Sequence, residues 1–328
     1  MSLPASVNFT QHSRIEIKCN SNFDNTVEII KYSLQLAYLI PGILIHFGIL
    51  RTILWKCWRF YRSNSFFMIF AVDSMASVIM LIFAAFFNRP TMYIPPLCPI
   101  LSPFFADPST LLNVSYIIPN YLRAMKSVTQ IFMSLNRMSC VIFPHSYTTI
   151  WRKYLKFSIA IILFSPIFVT WNLFLSRVFV MPYFGGFTYG YLKYFEWASL
   201  SQFQFVFLSL AILVTIISTI IILIYLLMLP TRVKSLEKTL CFTNLTISIS
   251  FMIVTAFQSF YAFFPNVFTG FLSNFVFGLQ FLSYDFLNIS SPIVMILMNA
   301  QLREHIFKNQ GTFGNSIIRV SQTQNSVL

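Results

Sequence analysis

Apolar residues fill long stretches of this chain, and polar residues collect in the short segments between them. Seven stretches reach the roughly 20 residues that an α-helix needs to cross a lipid bilayer. Residues 239–284 hold two of them, divided near Pro265 and Asn266, without a single charged side chain. The pattern predicts an all-α membrane protein, a bundle of seven transmembrane helices. The predicted spans are roughly 29–50, 65–87, 113–140, 157–179, 203–229, 241–264 and 271–298.

Composition supports this class. Hydrophobic residues make up 57% of the chain and charged residues 9%, whereas a soluble domain carries about 25% charged residues. The polar first 28 residues contain no apolar signal segment, so we expect the first span to direct insertion. The predicted divisions are an extracellular segment (1–28), the bundle (29–298) and a cytoplasmic tail (299–328).

The cations predict the orientation in the membrane. The net charge of +13 could suggest nucleic acid, but the basic residues are dispersed among short loops, which favours the positive-inside rule and no nucleic-acid partner. The predicted split is 14 cations on one side and 6 on the other, which places the N-terminus outside and the C-terminus in the cytoplasm. The inner set is Arg51, Lys56, Arg59, Arg62, Arg137, Arg152, Lys153, Lys156, Arg232, Lys234, Lys238, Arg303, Lys308 and Arg319; the outer set is Arg14, Lys18, Lys31, Arg89, Arg177 and Lys193.

Two outer segments have distinct patterns. Residues 90–108 contain six of the fifteen prolines, which predicts an extended, non-helical loop. In residues 183–197, aromatic side chains at Phe187, Tyr189 and Tyr191 alternate as they would in a short strand. That segment either forms a lid over a binding cavity or belongs to an interfacial aromatic belt.

The predicted outer side also holds candidate modifications. Cys19 and Cys98 fall on the oxidising side, where they are placed to form a disulfide, although sequence cannot fix connectivity. Asn8 begins an exposed Asn-Phe-Thr acceptor for N-glycosylation.

Signals for an enzyme are lacking in the sequence. The four histidines are not spaced as metal ligands, and no phosphate-binding loop, HExxH or Ser/His/Asp set occurs. We therefore expect neither catalysis, nor a bound metal, nor a cofactor.

The third span ends in SLNRMSCVIFPHS (134–146), which resembles the end of the third helix in rhodopsin-like G-protein-coupled receptors. Arg137 and Pro144 keep the spacing of that motif, but Asn136 replaces its acid and Met138 its tyrosine. Together with YLIPGILIH (38–46) and the short inner loop TRVKSLEKTLC (231–241), this motif is similar to the nematode serpentine receptors of class gamma.

The resemblance implies a chemosensory receptor in the plasma membrane that binds a small molecule and signals through a heterotrimeric G protein. It assigns Arg137 to contact with the G-protein α-subunit, and it implies a short amphipathic helix at 299–307. Because Asn136 is neutral, Glu237 is a candidate substitute clamp for Arg137; the alternative is a local pair between Glu237 and Lys234.

Polar residues recur along one face of the third span. At about 100° per residue, they share a stripe that must face the bundle interior, because lipid cannot satisfy it. The stripe consists of Arg123, Lys126, Ser127, Gln130, Ser134 and Arg137.

The charges of this stripe require acidic partners, and the spans offer two, Asp73 and Asp285. At about 1.5 Å per residue, Lys126 and Asp73 lie about 16 and 14 Å from the cytoplasmic ends of their helices, and Arg123 and Asp285 both about 21 Å. These depths predict the pairs Lys126–Asp73 and Arg123–Asp285, which either only stabilise the bundle or also respond to ligand. By the resemblance, the Lys126 ammonium would stand where related receptors hold a sodium ion.

A ligand cavity is expected between spans three, five, six and seven. The candidate ligand-binding residues are Tyr121, Arg123, Gln258, Tyr261, Gln280, Tyr284 and Asp285. If the cation and the acid pair with each other, the cavity suits an apolar ligand; otherwise it suits a polar or zwitterionic one. Intramembrane charges also mark ion pathways, so a small-solute or ion transporter or channel is the alternative function.

Overall fold

A computed structural model describes residues 14, 15, 19, 23–183, 185–228, 246–259, 263 and 270–307 of the chain. Helices account for most of this part of the chain. In chain order they are α1 (Asn25–Arg51), α2 (Trp58–Tyr61), α3 (Ser65–Phe83), α4 (Arg89–Tyr93), α5 (Leu97–Phe105), α6 (Thr110–Ile142), α7 (Tyr147–Phe164), α8 (Ile167–Leu175), α9 (Leu200–Met228), α10 (Thr246–Ser259), α11 (Gly270–Met298) and α12 (Ala300–Phe307). Wider π-helical turns extend α1 over Thr52–Lys56 and join α3 to α4 over Ala84–Asn88.

Each of the seven predicted spans contains a helix of the structure. Five helical stretches are long and apolar enough to cross a membrane, namely Asn25–Lys56, Ser65–Tyr93, Tyr147–Leu175, Leu200–Tyr225 and Phe275–Met298. α6 is 33 residues long but carries the polar stripe, and α10 is the described part of the sixth span. The predicted bundle of membrane-spanning helices is thus confirmed within the described part of the chain.

The fourth span begins earlier than predicted. Its expected start was residue 157, but α7 begins at Tyr147, and α8 continues the span to Leu175 after a turn at Pro166. The cations Arg152 and Lys153 lie on the exposed face of α7. Because long basic side chains extend from a helix end into water, a span can begin before its apolar run does.

α6 occupies the middle of the bundle. It packs against α3, α7, α8 and α9, and most of its polar stripe is buried, including Lys126, Gln130 and Ser134. The stripe therefore faces protein, as the physical chemistry of a bilayer requires.

One end of the bundle is covered by a cap, which we define as α4, α5 and a β-hairpin. Strands β1 (Arg177–Tyr183) and β2 (Gly186–Leu192) pair antiparallel, with Val180 opposite Tyr189. The strand predicted from the alternating aromatics is thereby confirmed. A Cβ atom at Gly186 would collide with the backbone carbonyls of Thr91 and Met92, so glycine lets β2 lie directly against α4.

The prediction that residues 90–108 are extended is wrong, because this segment contains α4 and α5. Pro90 lies in the first turn of α4, and Pro96 immediately precedes α5. Proline is tolerated at a helix start, where its missing N–H would have no intrahelical acceptor. Pro103 lies inside α5, so a high proline content does not by itself make a segment extended.

A disulfide ties the chain upstream of α1 to the cap. Cys19 and Cys98 are bonded, with their Cα atoms 5.9 Å apart, and Ile15 N donates to Ala106 O at 2.9 Å. Cys98 lies in an apolar cluster with Leu112 of α6 and Phe187 of β2. We call this end of the bundle the cap side, and the opposite end, where α12 lies, the tail side.

Candidate functional site

The buried charges of α6 form two levels, and the level nearer the tail side is a closed ion pair. Lys126 Nζ donates to both carboxylate oxygens of Asp73, at 2.9 and 3.0 Å, and to Ser77 Oγ at 2.6 Å. The two charged side chains are 2% and 4% exposed. An ammonium group has three protons to donate, so Lys126 satisfies all of them within the bundle. The structure thus contains the pair that the depth argument predicts.

The other predicted pair, Arg123–Asp285, is wrong. Asp285 Oδ2 accepts from Arg89 Nη2 at 2.6 Å and from the Tyr38 hydroxyl at 2.9 Å. Both members of the Arg89–Asp285 pair are buried, and the Arg89 guanidinium also lies 4.6 Å from the centre of the Phe281 ring.

Arg89 reaches Asp285 because the second span is longer than predicted. The helix continues through the π-helical turn at Ala84–Asn88 into α4, which holds Arg89 inside the bundle. The predicted span ended at residue 87 and assigned Arg89 to an outer loop. An error of two residues at one helix end therefore changed the partner of Asp285.

Arg123 is held by neutral groups. Its Nη1 donates to Asn120 Oδ1 at 3.2 Å, and its guanidinium carbon lies 4.3 Å from the centre of the Tyr284 ring. Its Nε is buried and makes no hydrogen bond. Among the described residues, Arg123 takes part in none of the salt bridges.

A cavity of about 190 Å³ lies on the cap side of Arg123. Helices α6, α9, α10 and α11 form its walls, and the chain leading into α4, together with β2, completes it. The lining residues are Asn88, Met92, Ser115, Tyr116, Pro119, Asn120, Arg123, Thr188, Tyr189, Leu200, Ser201, Gln204, Gln258, Phe277, Gln280 and Phe281. Pockets for drug-sized ligands measure about 300–1,000 Å³, so this cavity suits a smaller molecule.

Some predicted ligand-binding residues reach this cavity and others do not. Arg123, Gln258 and Gln280 line it, whereas Tyr284 and Asp285 line a smaller void of about 20 Å³ beneath it, which Arg123 also borders. Arg123 therefore connects the cavity with the charged level below.

Two further candidates are not part of the cavity wall. The Tyr121 hydroxyl donates to the backbone carbonyl of Leu163 on α7, so this side chain faces a neighbouring helix. We correct its assignment as a ligand contact for that reason. Tyr261 lies outside the described residues.

Side-chain amides link the cavity walls to one another. Gln204 Nε2 on α9 donates to Asn120 Oδ1 at 2.9 Å, and Gln280 Nε2 on α11 donates to Gln258 Oε1 on α10 at 2.9 Å. Burial raises the pKa of the Tyr189 hydroxyl on β2, which keeps this group neutral. The wall thus offers neutral hydrogen-bonding groups around one cation.

The tail side of α6 holds a second polar group. Asn136 Nδ2 donates to Ser65 Oγ at 2.7 Å, and the Tyr147 hydroxyl donates to Asn136 Oδ1 at 3.0 Å. The hydroxyl oxygens of Ser65 and Tyr147 are 2.9 Å apart. The asparagine that stands in place of the expected acid thus joins α6 to α3 and α7.

Arg137 follows Asn136 and is 8% exposed. Its guanidinium carbon lies 3.4 Å from the centre of the Phe66 ring on α3. Glu237, the candidate clamp, and Lys234 both lie outside the described residues, as does the glycosylation acceptor Asn8.

Sequence comparison agrees with this architecture. A family described as Srg family chemoreceptor matches residues 32–306. The chain belongs to the Srg chemoreceptor family. It is 43% identical to serpentine receptor class gamma-5 of Caenorhabditis elegans over 88% of both chains, and 43% identical to class gamma-16 over 92% of both. Class gamma-11 of the same organism is 42% identical over 90% of this chain and 87% of its own.

Membership of the Srg family makes the chain a multi-pass membrane protein of the G-protein-coupled chemoreceptor type. It also confirms the resemblance drawn from the LNRM and FP residues of the third span. The short helix expected after the seventh span is present as α12, and its residue Leu302 is buried.

Sequence reasoning missed three polar residues of this Srg receptor's cap side. Asn120 lies three residues before Arg123, on the same helix face, so the polar stripe could have been extended to it. Gln204 is an amide in an apolar span, which indicates an inward-facing position. The sequence gives no comparable indication for Arg89, because its position inside the bundle depends on where the second span ends.

Proposed function

We propose that this receptor binds a small molecule in the cavity beside Arg123 and signals through a heterotrimeric G protein at its tail side. The observation that carries the proposal is the cavity itself. Four helices meet there, and polar groups of α6, α9, α10 and α11 line one volume. A ligand in that volume contacts several helices at once, so its binding energy depends on their relative positions.

The proposed orientation places the cap outside the cell and α12 in the cytoplasm. The 14-to-6 distribution of cations supports it. The Cys19–Cys98 disulfide also supports it, because disulfides persist in oxidising surroundings and the bond lies on the cap side.

The proposed G-protein contact is Arg137. At rest its guanidinium lies against Phe66, and Asn136 holds the same turn of α6 to α3 and α7. Asn136 is neutral, so it provides no ionic clamp for Arg137. Glu237 remains a proposed second contact. The Srg family is a chemoreceptor family, which favours a receptor over the transporter alternative.

G-protein recruitment to the unliganded receptor tests the coupling half of this proposal. Arg137→Gln should lower basal recruitment in cells about fivefold or more, the lower end of a typical coupling free energy. Arg152→Gln is the matched control, because it removes an exposed cation from α7 on the same side. Equal recruitment by wild type and Arg137→Gln at equal surface level would contradict the proposed role.

Topology is the second test. Glycan addition at Asn8 in microsomes, together with protease digestion of a C-terminal tag, should report opposite sides for the two termini. Both termini on one side would contradict the orientation and remove Arg137 from the cytoplasm.

A further inference from the structure

Among the described residues, Asp73 and Asp285 pair with other cations, which leaves Arg123 without an acidic partner. Lys126 is neutralised by Asp73, and Arg89 is neutralised by Asp285. Arg123 then remains, with an amide oxygen and an aromatic ring as its closest described contacts. A cation at membrane depth is costly unless it is paired or faces a water-filled cavity.

Arg123 faces such a cavity, and the described part of the wall around it carries no opposing charge. Among the described lining residues there is neither an Asp nor a Glu. Asp285 borders the small void beneath, where Arg89 and Tyr38 occupy one of its carboxylate oxygens. The positive potential of Arg123 is therefore directed into the cavity without compensation from its wall.

The remainder of the wall has two kinds of surface. Amides at Asn120, Gln204 and Gln280 supply hydrogen-bond donors and acceptors, and rings at Tyr116, Phe277 and Phe281 supply apolar contact. A guanidinium presents a planar fork of N–H donors that matches a carboxylate. The arrangement fits a molecule with one anionic end and a short apolar body.

We propose that the ligand of this receptor is a small organic anion, such as a carboxylate, whose charge binds Arg123. This inference rests on the proposed function, because it takes the cavity to be the ligand site. The volume of about 190 Å³ equals roughly six water molecules at about 30 Å³ each, which limits the apolar body to a short chain.

A different role for Arg123 is purely structural. Its contacts with Asn120 and Tyr284 could serve only to join α6 to α11. The two roles differ in what the loss of the charge does. Removing a cation that has no acid partner should leave the ligand-free protein at least as stable, whereas removing a structural contact should destabilise it.

The test uses the purified full-length receptor and two probes of nearly equal shape, hexanoate and hexanamide. Binding is read from the rise in thermal unfolding temperature with probe concentration, since a ligand that binds only the folded state stabilises it. Hexanoate should stabilise the wild type and hexanamide should not. Arg123→Gln should weaken hexanoate binding about tenfold or more, without lowering the unfolding temperature of the ligand-free protein.

Two variants complete the design. Lys193→Gln removes an exposed cation near the cap, outside the cavity, and should bind hexanoate as the wild type does. Arg123→Lys keeps the charge but loses the planar fork, so its affinity should fall between those of the wild type and Arg123→Gln.

Three outcomes would overturn the proposal: hexanamide stabilises as well as hexanoate, Arg123→Gln keeps the response, or no straight-chain carboxylate from acetate to octanoate stabilises the wild type. The recruitment assay separates these failures from failure of the proposed function, because it needs no ligand. A receptor that recruits G protein through Arg137 but ignores carboxylates refutes only the anion. One that binds hexanoate without recruiting G protein refutes only the signalling.

Discussion

The two charged levels of α6 differ in a way that separates stability from binding. Lys126 has three oxygen partners, two of them from Asp73, and is almost fully enclosed. Arg123, one helical turn away on the same face, borders the cavity, and the Asp285 carboxylate at that level binds Arg89 instead. The first level is complete without a ligand, and the second has spare positive charge.

Neighbouring helices cause this difference, since α6 presents both cations in the same way. Beside Lys126, α3 supplies Asp73 and Ser77 from successive turns, so the carboxylate and a second acceptor, the hydroxyl, lie next to the ammonium group. Beside Arg123, the acid is Asp285 of α11, and it binds Arg89. Where a bundle has more cations than acids, the surplus charge is available to a ligand.

Removal of the acid at the closed level should have the largest effect. Asp73→Asn leaves Lys126 charged and enclosed, and breaking a buried pair in this way costs about 3–5 kcal/mol. We expect a large fall in the thermal unfolding temperature of the purified receptor and loss of surface expression.

The matched control for Asp73→Asn is the double variant Asp73→Asn/Lys126→Met, which removes both charges. It should recover most of the lost stability, because replacing a whole buried pair with neutral groups is often tolerated. If the double variant is as unstable as the single one, the ion pair does not account for the effect.

The same contrast shows what the sequence could predict. The polar stripe and the Lys126–Asp73 pair follow from helix geometry and depth, because both residues lie well inside their spans, where an error of a few residues at a helix end changes nothing. Arg89 lies at a helix end. Its partner therefore depends on a π-helical turn that the sequence does not predict.

Cap structure was predicted in part for a related reason. Alternating aromatics indicated β2 because a strand's period is visible in a few residues. The helices α4 and α5 were not predicted because their prolines, which lie at the helix starts and, for Pro103, inside α5, resemble prolines in loops. The cavity's position between α6, α9, α10 and α11 followed from the family resemblance. Its positive charge could not be predicted, because it depends on Asp285 pairing with Arg89 and not with Arg123.

Loss of Arg89 should have a smaller effect than loss of Asp73. Arg89→Gln deprives Asp285 of its 2.6 Å partner, but Arg123 borders the same small void as Asp285 and can take over. We expect a cost of about 1–2 kcal/mol in the free energy of unfolding, in the ordinary range for a point substitution. Hexanoate binding should also weaken, since Arg123 would then be engaged by Asp285.

A double-mutant cycle with Arg123→Gln measures how far Arg123 replaces Arg89 as the partner of Asp285. The effect of Arg89→Gln should be about 1 kcal/mol larger when Arg123 is absent, as for other residues that share a partner. Lys31→Gln, which removes a cation that is 43% exposed at the start of α1, serves as the control and should show no coupling to Arg123. Strict additivity would mean that Arg123 cannot reach Asp285.

The smallest predicted effect lies on the tail side, where α12 contacts α2 and the π-helical end of α1. His305 Nδ1 lies 2.8 Å from the Tyr61 hydroxyl, and Lys56 Nζ donates to the His305 carbonyl at 2.6 Å. Burial, and next the Lys56 charge, lower the pKa of His305 below its ordinary 6.5, while Glu304 opposes the shift. The docked helix therefore favours the neutral imidazole.

The sign of the pH effect follows from this shift. Above pH 6.5 the imidazole is neutral in both docked and undocked α12, so the docking is fully stabilised. As the pH falls below 6.5, the undocked form takes up the proton first and docking weakens, until the pKa of the docked form is passed. Partial exposure limits the change to about 0.5 kcal/mol.

Hydrogen–deuterium exchange of the α12 amides, corrected for intrinsic rates, should thus be faster at about pH 5.5 than at about pH 7.5, and His305→Gln should remove the dependence. An unchanged pH dependence in that variant would assign the effect to a group other than His305.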